Sequence, residues 1–212
     1  MTRLLLALLF AALPVAAQEV TRLPEGTEQS VSFDAGLQSA LVARAAYARR
    51  VGPGLVYARF TLPFAALDPG DFAVEAGAQA TALSRGNWQL QAALAPVVRA
   101  TGNSVFTATA FGLRAALMPG YQGERWGLLA EVAYEKTVAA HLVQSDAYRR
   151  AGYPGAKDGW YAWSAGTLQA GLRGGVRLGR VELSLAAGLM ATEKLNPVTP
   201  PFYATLGSAW AF

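Results

Sequence analysis

The chain has 212 residues, 53% of them apolar and only 15% charged, a balance that excludes a disordered segment and suits one domain. Cysteine is absent and His141 is the single histidine, so disulfides and Cys- or His-clustered metal sites are excluded, and no cofactor is expected. The net charge of +4 is mild, and the basic residues are spread out rather than gathered into the stripe that nucleic-acid binding requires.

Residues 1–17 read as an export signal. Met1-Thr2-Arg3 supplies a positive start, Leu4 to Ala17 carries no charge, and Val15-Ala16-Ala17 puts small residues where a signal peptidase cuts. Cleavage after Ala17 leaves 18–30 as a periplasmic N-terminal segment and 31–212 as the folded domain. Beyond residue 17 no stretch suits a spanning helix, which takes about 20 apolar residues. The longest uncharged run, Leu195 to Phe212, is broken by Pro197, Pro200 and Pro201.

From there period-two alternation dominates, the mark of half-buried strands. Segment 31–49 sets Phe33, Leu37, Leu41 and Tyr47 against Asp34, Gln38 and Arg44. Segment 55–64 sets Val56, Phe60 and Phe64 against Tyr57 and Arg59, and 72–83 sets Phe72 and Val74 against Glu75 and Gln79. In 88–95, Trp88, Leu90 and Leu94 oppose Gln89 and Gln91. That strand is expected to end before Pro96, which has no N–H for the ladder. The pattern is weakest in 105–115, where Arg114 marks the polar face and Thr107 and Thr109 fall on the other. Segment 126–137 sets Trp126, Leu128, Val132 and Tyr134 against Glu131 and Glu135. Segments 166–178 and 181–190 follow, with Arg173, Arg177 and Glu182 on their polar faces, and 202–212 closes the chain.

A soluble sandwich alternates too, but two features imply an antiparallel transmembrane barrel. The apolar face carries aromatics at two heights, as lipid headgroup interfaces select. Tyr47, Trp88, Trp126, Trp210 and Phe212 lie at one level, Phe64 and Phe72 at the other. The polar face mixes signs: Asp34, Glu75, Glu131, Glu135 and Glu182 against Arg44, Arg59, Arg99, Arg114, Arg173 and Arg177. Such a set suits pairing inside a narrow lumen, where an unpaired charge is costly. Lys136 is the exception on the apolar face and is expected near an interface, where its stem can snorkel. Bacterial single-chain barrels have even strand numbers, so the nine segments imply an all-β, up-and-down barrel of eight or ten strands. A wide diffusion pore is excluded at that size. With the short turns at 51–54, 84–87 and 179–180 on the periplasmic side, 138–165 becomes a long extracellular loop and 191–201 a shorter one.

Loops on a rigid barrel are where binding concentrates. The 138–165 connection offers Tyr148, Arg149, Arg150, Tyr153, Lys157, Asp158 and Trp160, an interleaving of aromatics and charges that suits lipopolysaccharide phosphates, a glycan or a protein. The same aromatics also fit interfacial anchors. His141 with Ser145 and Glu131 or Glu135 is the one constellation for nucleophilic hydrolysis, as in small outer-membrane lipid A deacylases, where His and Ser lie closer along one strand. Four residues along a strand separate two side chains by about 13 Å, so catalysis is not the expected role.

The last segment carries Leu206, Trp210 and Phe212 on one face and ends on the aromatic, with Ser208 departing from the usual apolar choice. It resembles the C-terminal strand of bacterial outer-membrane β-barrel proteins. That resemblance implies an outer-membrane location, insertion by the barrel-assembly machinery, and lipids and lipopolysaccharide as partners. The expected role is structural or surface-interacting, with a narrow channel for ions or small solutes as the alternative.

Overall fold

A computed structural model describes residue 23 and residues 26–38, 40–64, 71–151 and 155–212. The expected signal peptide and Tyr153 lie outside the described residues. Ten strands close into one barrel: β1 (Gln29–Gln38), β2 (Ala40–Val51), β3 (Gly54–Pro63), β4 (Phe72–Arg85), β5 (Trp88–Gly102), β6 (Phe106–Gln122), β7 (Trp126–Gln144), β8 (Gly159–Leu178), β9 (Val181–Thr192) and β10 (Pro197–Ala211). A one-turn helix, α1 (Asp146–Arg150), lies between β7 and β8. Every strand pairs antiparallel with its sequence neighbours, and β1 pairs with β10 to close the circle.

The strand number resolves at 31–49, which is two strands and not one. β1 and β2 pair with Asp34 opposite Arg44 and Leu37 opposite Leu41. Opposed residues of an antiparallel pair share a face. Even numbers therefore face even numbers across the hairpin, and the alternation runs through the reversal without a break. Gln29 and Ser30, expected in the periplasmic segment, belong to β1.

Several strands outrun their expected ends. β5 passes through Pro96, whose missing N–H falls where the β4–β5 ladder skips from Glu75 opposite Val97 to Ala78 opposite Leu94. On its other side Pro96 keeps register, opposite Leu113. β6 reaches Gln122 and not 115, because its inward residues Ala116 and Met118 are apolar and erase the alternation. β7 continues to Gln144 and β8 begins at Gly159, so the expected 138–165 loop shrinks to 145–158. The cause is a β-bulge, a register shift between Thr137 and Ala139. Below it Glu131 and Ala133 point inward, and above it Ala140 does, at 2% exposure. Likewise 191–201 shrinks to 193–196, with the irregularity absorbed between Pro197 and Phe202.

The outward face is apolar. Leu94, Leu117, Leu172, Leu185 and Leu206 are all more than half exposed. Aromatic belts flank this band. At the end bearing both termini, Trp88, Tyr121 and Trp126 pack in a row with ring centroids 6.0 and 4.7 Å apart, and Trp210 lies beside Phe212. At the loop end, Phe60 meets Phe72 at 5.9 Å and Phe111 meets Trp160 at 5.6 Å. A surface of this kind is at home only in a bilayer. No helix among the described residues is long and apolar enough to cross one. Lys136 faces outward and pairs with Glu193, which also accepts a hydrogen bond from Tyr134 Oη at 3.0 Å.

Candidate functional site

Inward-facing residues at the middle of the barrel are long and charged, and rung pairing brings opposite signs together. Asp34 and Arg44 sit across one rung of β1 and β2 and form an ion pair. Arg59 and Glu75 do the same on β3 and β4 at 3.1 Å, and Tyr57 Oη donates to the same carboxylate at 2.7 Å. Glu131, 2% exposed, is gripped from both sides, by Arg114 Nη2 at 3.0 Å and Arg173 Nη2 at 2.6 Å. Arg114 also donates to Gln169 Oε1 at 3.1 Å. These side chains form a waist across the lumen, with a free space of only about 10 Å³, near the size of one water probe.

Away from the waist the charges thin out. Arg99 holds Glu135 through two bonds of 2.8 Å on the loop side, and Arg177 meets Glu182 at 3.1 Å on the termini side. Asp34, Arg44, Arg59, Glu75, Arg114, Glu131, Glu135, Arg173, Arg177 and Glu182, the expected lumen charges, thus all lie in ion pairs of adjacent or near-adjacent strands. Sequence reasoning missed the amide chain Gln79–Gln91–Gln122, whose links are 2.8 and 3.0 Å. The alternation in β4 and β5 points to the first two, but Gln122 lies beyond the expected end of β6. Tyr203 was also passed over. Its buried ring packs over Gly171 and Gly188, where any Cβ would come within 2.7 Å of it.

Two cavities flank the waist. The loop-side one holds about 540 Å³ and is lined by Val42, Phe106, Leu142 and Met190, with Arg99 and Glu135. The termini-side one holds about 260 Å³ and is bounded by Leu23, Arg50, Gln79 and Gln91. Leu23, 1% exposed, packs against Ala48, Tyr57, Ala95 and Ala211, and its carbonyl accepts from Arg50 Nη2 at 3.1 Å. Leu23 therefore lies inside the barrel at this end.

The loop candidates separate. Tyr148, Arg149 and Arg150 sit on α1, whose N-cap Ser145 accepts the Tyr148 N–H at 3.1 Å. Arg149 reaches Asp158 at 2.5 Å, and Asp158 also accepts the Gln144 N–H at 2.7 Å. Those two bonds hold the Asp158 carboxyl below the usual carboxylate range, the backbone N–H contributing most. Lys157 is exposed, and Trp160 is on the outer face of β8. Trp160 covers His141, with ring centroids 5.2 Å apart. His141 faces out of the barrel opposite Thr109, Glu131 and Glu135 face in, and Ser145 Oγ donates to the Ser104 carbonyl at 2.7 Å. The hydrolase constellation is not assembled. Among the described residues no group of three or more His, Asp or Glu side chains is placed to hold a metal ion. At the C-terminus, Leu206 and Trp210 point outward and Phe212 accepts the Gln29 N–H at 3.0 Å, tying the two ends of the barrel wall.

No protein-family model matches the sequence, and no curated protein does. Among solved structures the chain is similar to the KdgM porin (7% identity over 86% of this chain and 99% of that one, TM-score 0.44). It is similar to the KdgM porin in complex with disordered oligogalacturonate (7%, 86% and 99%, TM-score 0.45). It is also similar to Ail, the attachment invasion locus protein of Yersinia pestis (9% identity over 88% of this chain and 99% of that one, TM-score 0.38).

Proposed function

We propose that this chain is a small bacterial outer-membrane barrel, exported by its N-terminal signal, with a lumen sealed at the waist and a role at the cell surface. The apolar belt and aromatic girdles support the membrane setting, and the C-terminal Leu206, Trp210 and Phe212 support insertion by the barrel-assembly machinery. In this setting the short turns face the periplasm, and the 145–158 loop, with Arg150 and Lys157, together with Trp160 at the start of β8, meets lipopolysaccharide or another surface partner. The observation that carries the sealed-lumen reading is the waist itself, where paired arginines and carboxylates fill the lumen and leave about 10 Å³ free, room for about one water. Reconstituted in planar bilayers, the native chain is expected to be electrically silent. An Arg114→Ala/Glu131→Ala/Arg173→Ala variant, which joins the two cavities, is expected to show conductance steps. Steps from the native chain at ordinary voltage overturn the reading.

A narrow channel is the second reading, favoured by one feature: cavities of about 540 and 260 Å³ stand on either side of a thin barrier. It requires the waist to rearrange, and the same recording, with native conductance present, decides for it.

A further inference from the structure

We infer that the loop-side cavity is a binding site for a small amphipathic monocarboxylate, taken up from the aqueous phase. The inference goes beyond the sealed-barrel reading and stands apart from it, because the site ends at the waist whether or not the waist conducts.

The void exists because of side-chain length. The strands that carry Glu75, Arg114, Glu131 and Arg173 at the waist carry Ala73, Ala108, Ala110, Ala140 and Ala165 at the level above it, and β3, which carries Arg59, adds only Thr61 and Pro63 there. A barrel of constant width is therefore filled at one height and hollow at the next. About 540 Å³ falls within the roughly 300–1,000 Å³ usual for small-molecule sites.

Its chemistry is two-sided. Val42, Phe106, Leu142 and Met190 present apolar surface, with threonines between them, and Asp71 at the rim has Oδ1 engaged by the Gly102 N–H at 2.9 Å. Arg99 spends Nε and Nη2 on Glu135, which leaves the two hydrogens of Nη1 without a protein acceptor among the described residues. Its side chain is 48% exposed, although it lines the cavity, so those donors are open to an incoming group. The floor adds a positive bias, since Arg114 and Arg173 share the single carboxylate of Glu131. A neutral apolar solute leaves the guanidinium donors unmatched, and a polyanion has no second cation to meet among apolar walls. A single carboxylate on an apolar body satisfies both surfaces.

The chain supplies its own reporters. Met190 lines the cavity, while Met118 is fully buried toward the termini among Ala93, Ala116, Leu129 and Ala133. With the full barrel in lipid nanodiscs and ¹³C-methyl methionine, titration with 3-phenylpropionate is expected to shift the Met190 methyl saturably and leave Met118 still. 3-Phenylpropionamide is expected to bind about tenfold more weakly, as is the carboxylate to an Arg99→Gln/Glu135→Gln variant, which keeps the pair hydrogen-bonded without charge. Ala140→Trp, which fills the cavity, is expected to abolish the shift, with heat-modifiable gel mobility as the check on folding. If Met190 does not respond, if amide and acid bind alike, or if both methyls drift without saturation, the site is not what we infer. The glutamine variant keeps the test decisive if Ala140→Trp fails to fold.

Discussion

Glu131 shows what a lumen charge does at the level of one side chain. It is buried to 2% exposure and neutralised from two strands, one arginine on β6 and one on β8. Its removal leaves two guanidinium groups facing each other without an anion between them. Breaking a buried pair in this way costs about 3–5 kcal/mol, so Glu131→Ala is expected to lower urea-unfolding stability in detergent by that order. Removing the more exposed Arg177 from its pair with Glu182 is expected to cost less, for lack of the same desolvation. These charges were legible in the sequence because nearly every one stands between immediate neighbours that are apolar, as Glu131 does between Ala130 and Val132. Their partners were not, since pairing depends on register, and register is set by turns that composition does not reveal. Gln122 and Tyr203 were hidden for a different reason. An amide or a phenol on a strand does not announce whether it points to the lumen, the interface or another amide.

At the level of elements, the bulge in β7 accounts for the largest departure from expectation. The parity reversal at Thr137–Ala139 turns Ala140 inward and His141 outward, so the period-two signal stops there although the strand does not. The unbroken alternation of 31–49 is the converse case, in which a tight reversal preserved parity and two strands read as one. What remains of the loop is short and tethered. Asp158 ties the start of β8 to Gln144 at the end of β7 and to Arg149 on α1. Because the folded carboxyl titrates below its unfolded value, the tether contributes fully above the usual carboxylate range and is lost as pH falls through the lowered folded value. The Gln144 amide resonance is therefore expected to be constant at neutral pH and to move with a midpoint below that of an ordinary aspartate. In Asp158→Asn the acid transition disappears. A midpoint at or above the ordinary value contradicts the tether.

For the molecule as a whole, one arrangement organises the rest: most large apolar side chains of the ten strands face away from the axis and most ionic ones, Lys136 excepted, face toward it. Fold class and closure were legible because alternation, aromatic belts and a C-terminal aromatic all report on the same two faces. The hollow above the waist was not, because alanine reads as apolar in a sequence whether it packs a core or leaves a space. The absence of cysteine makes a direct test clean, since single Cys substitutions can carry a nitroxide without background. Labels would be placed at outward Leu172, Leu185 and Leu206 and at inward Ala186, Ser184 and Thr205, with the barrel in lipid and relaxation measured against oxygen and against a water-soluble nickel chelate. The account predicts that the three outward labels relax strongly with oxygen and weakly with nickel, while the inward labels lack that oxygen preference. Outward labels relaxed mainly by the nickel chelate would place that face in water and contradict it.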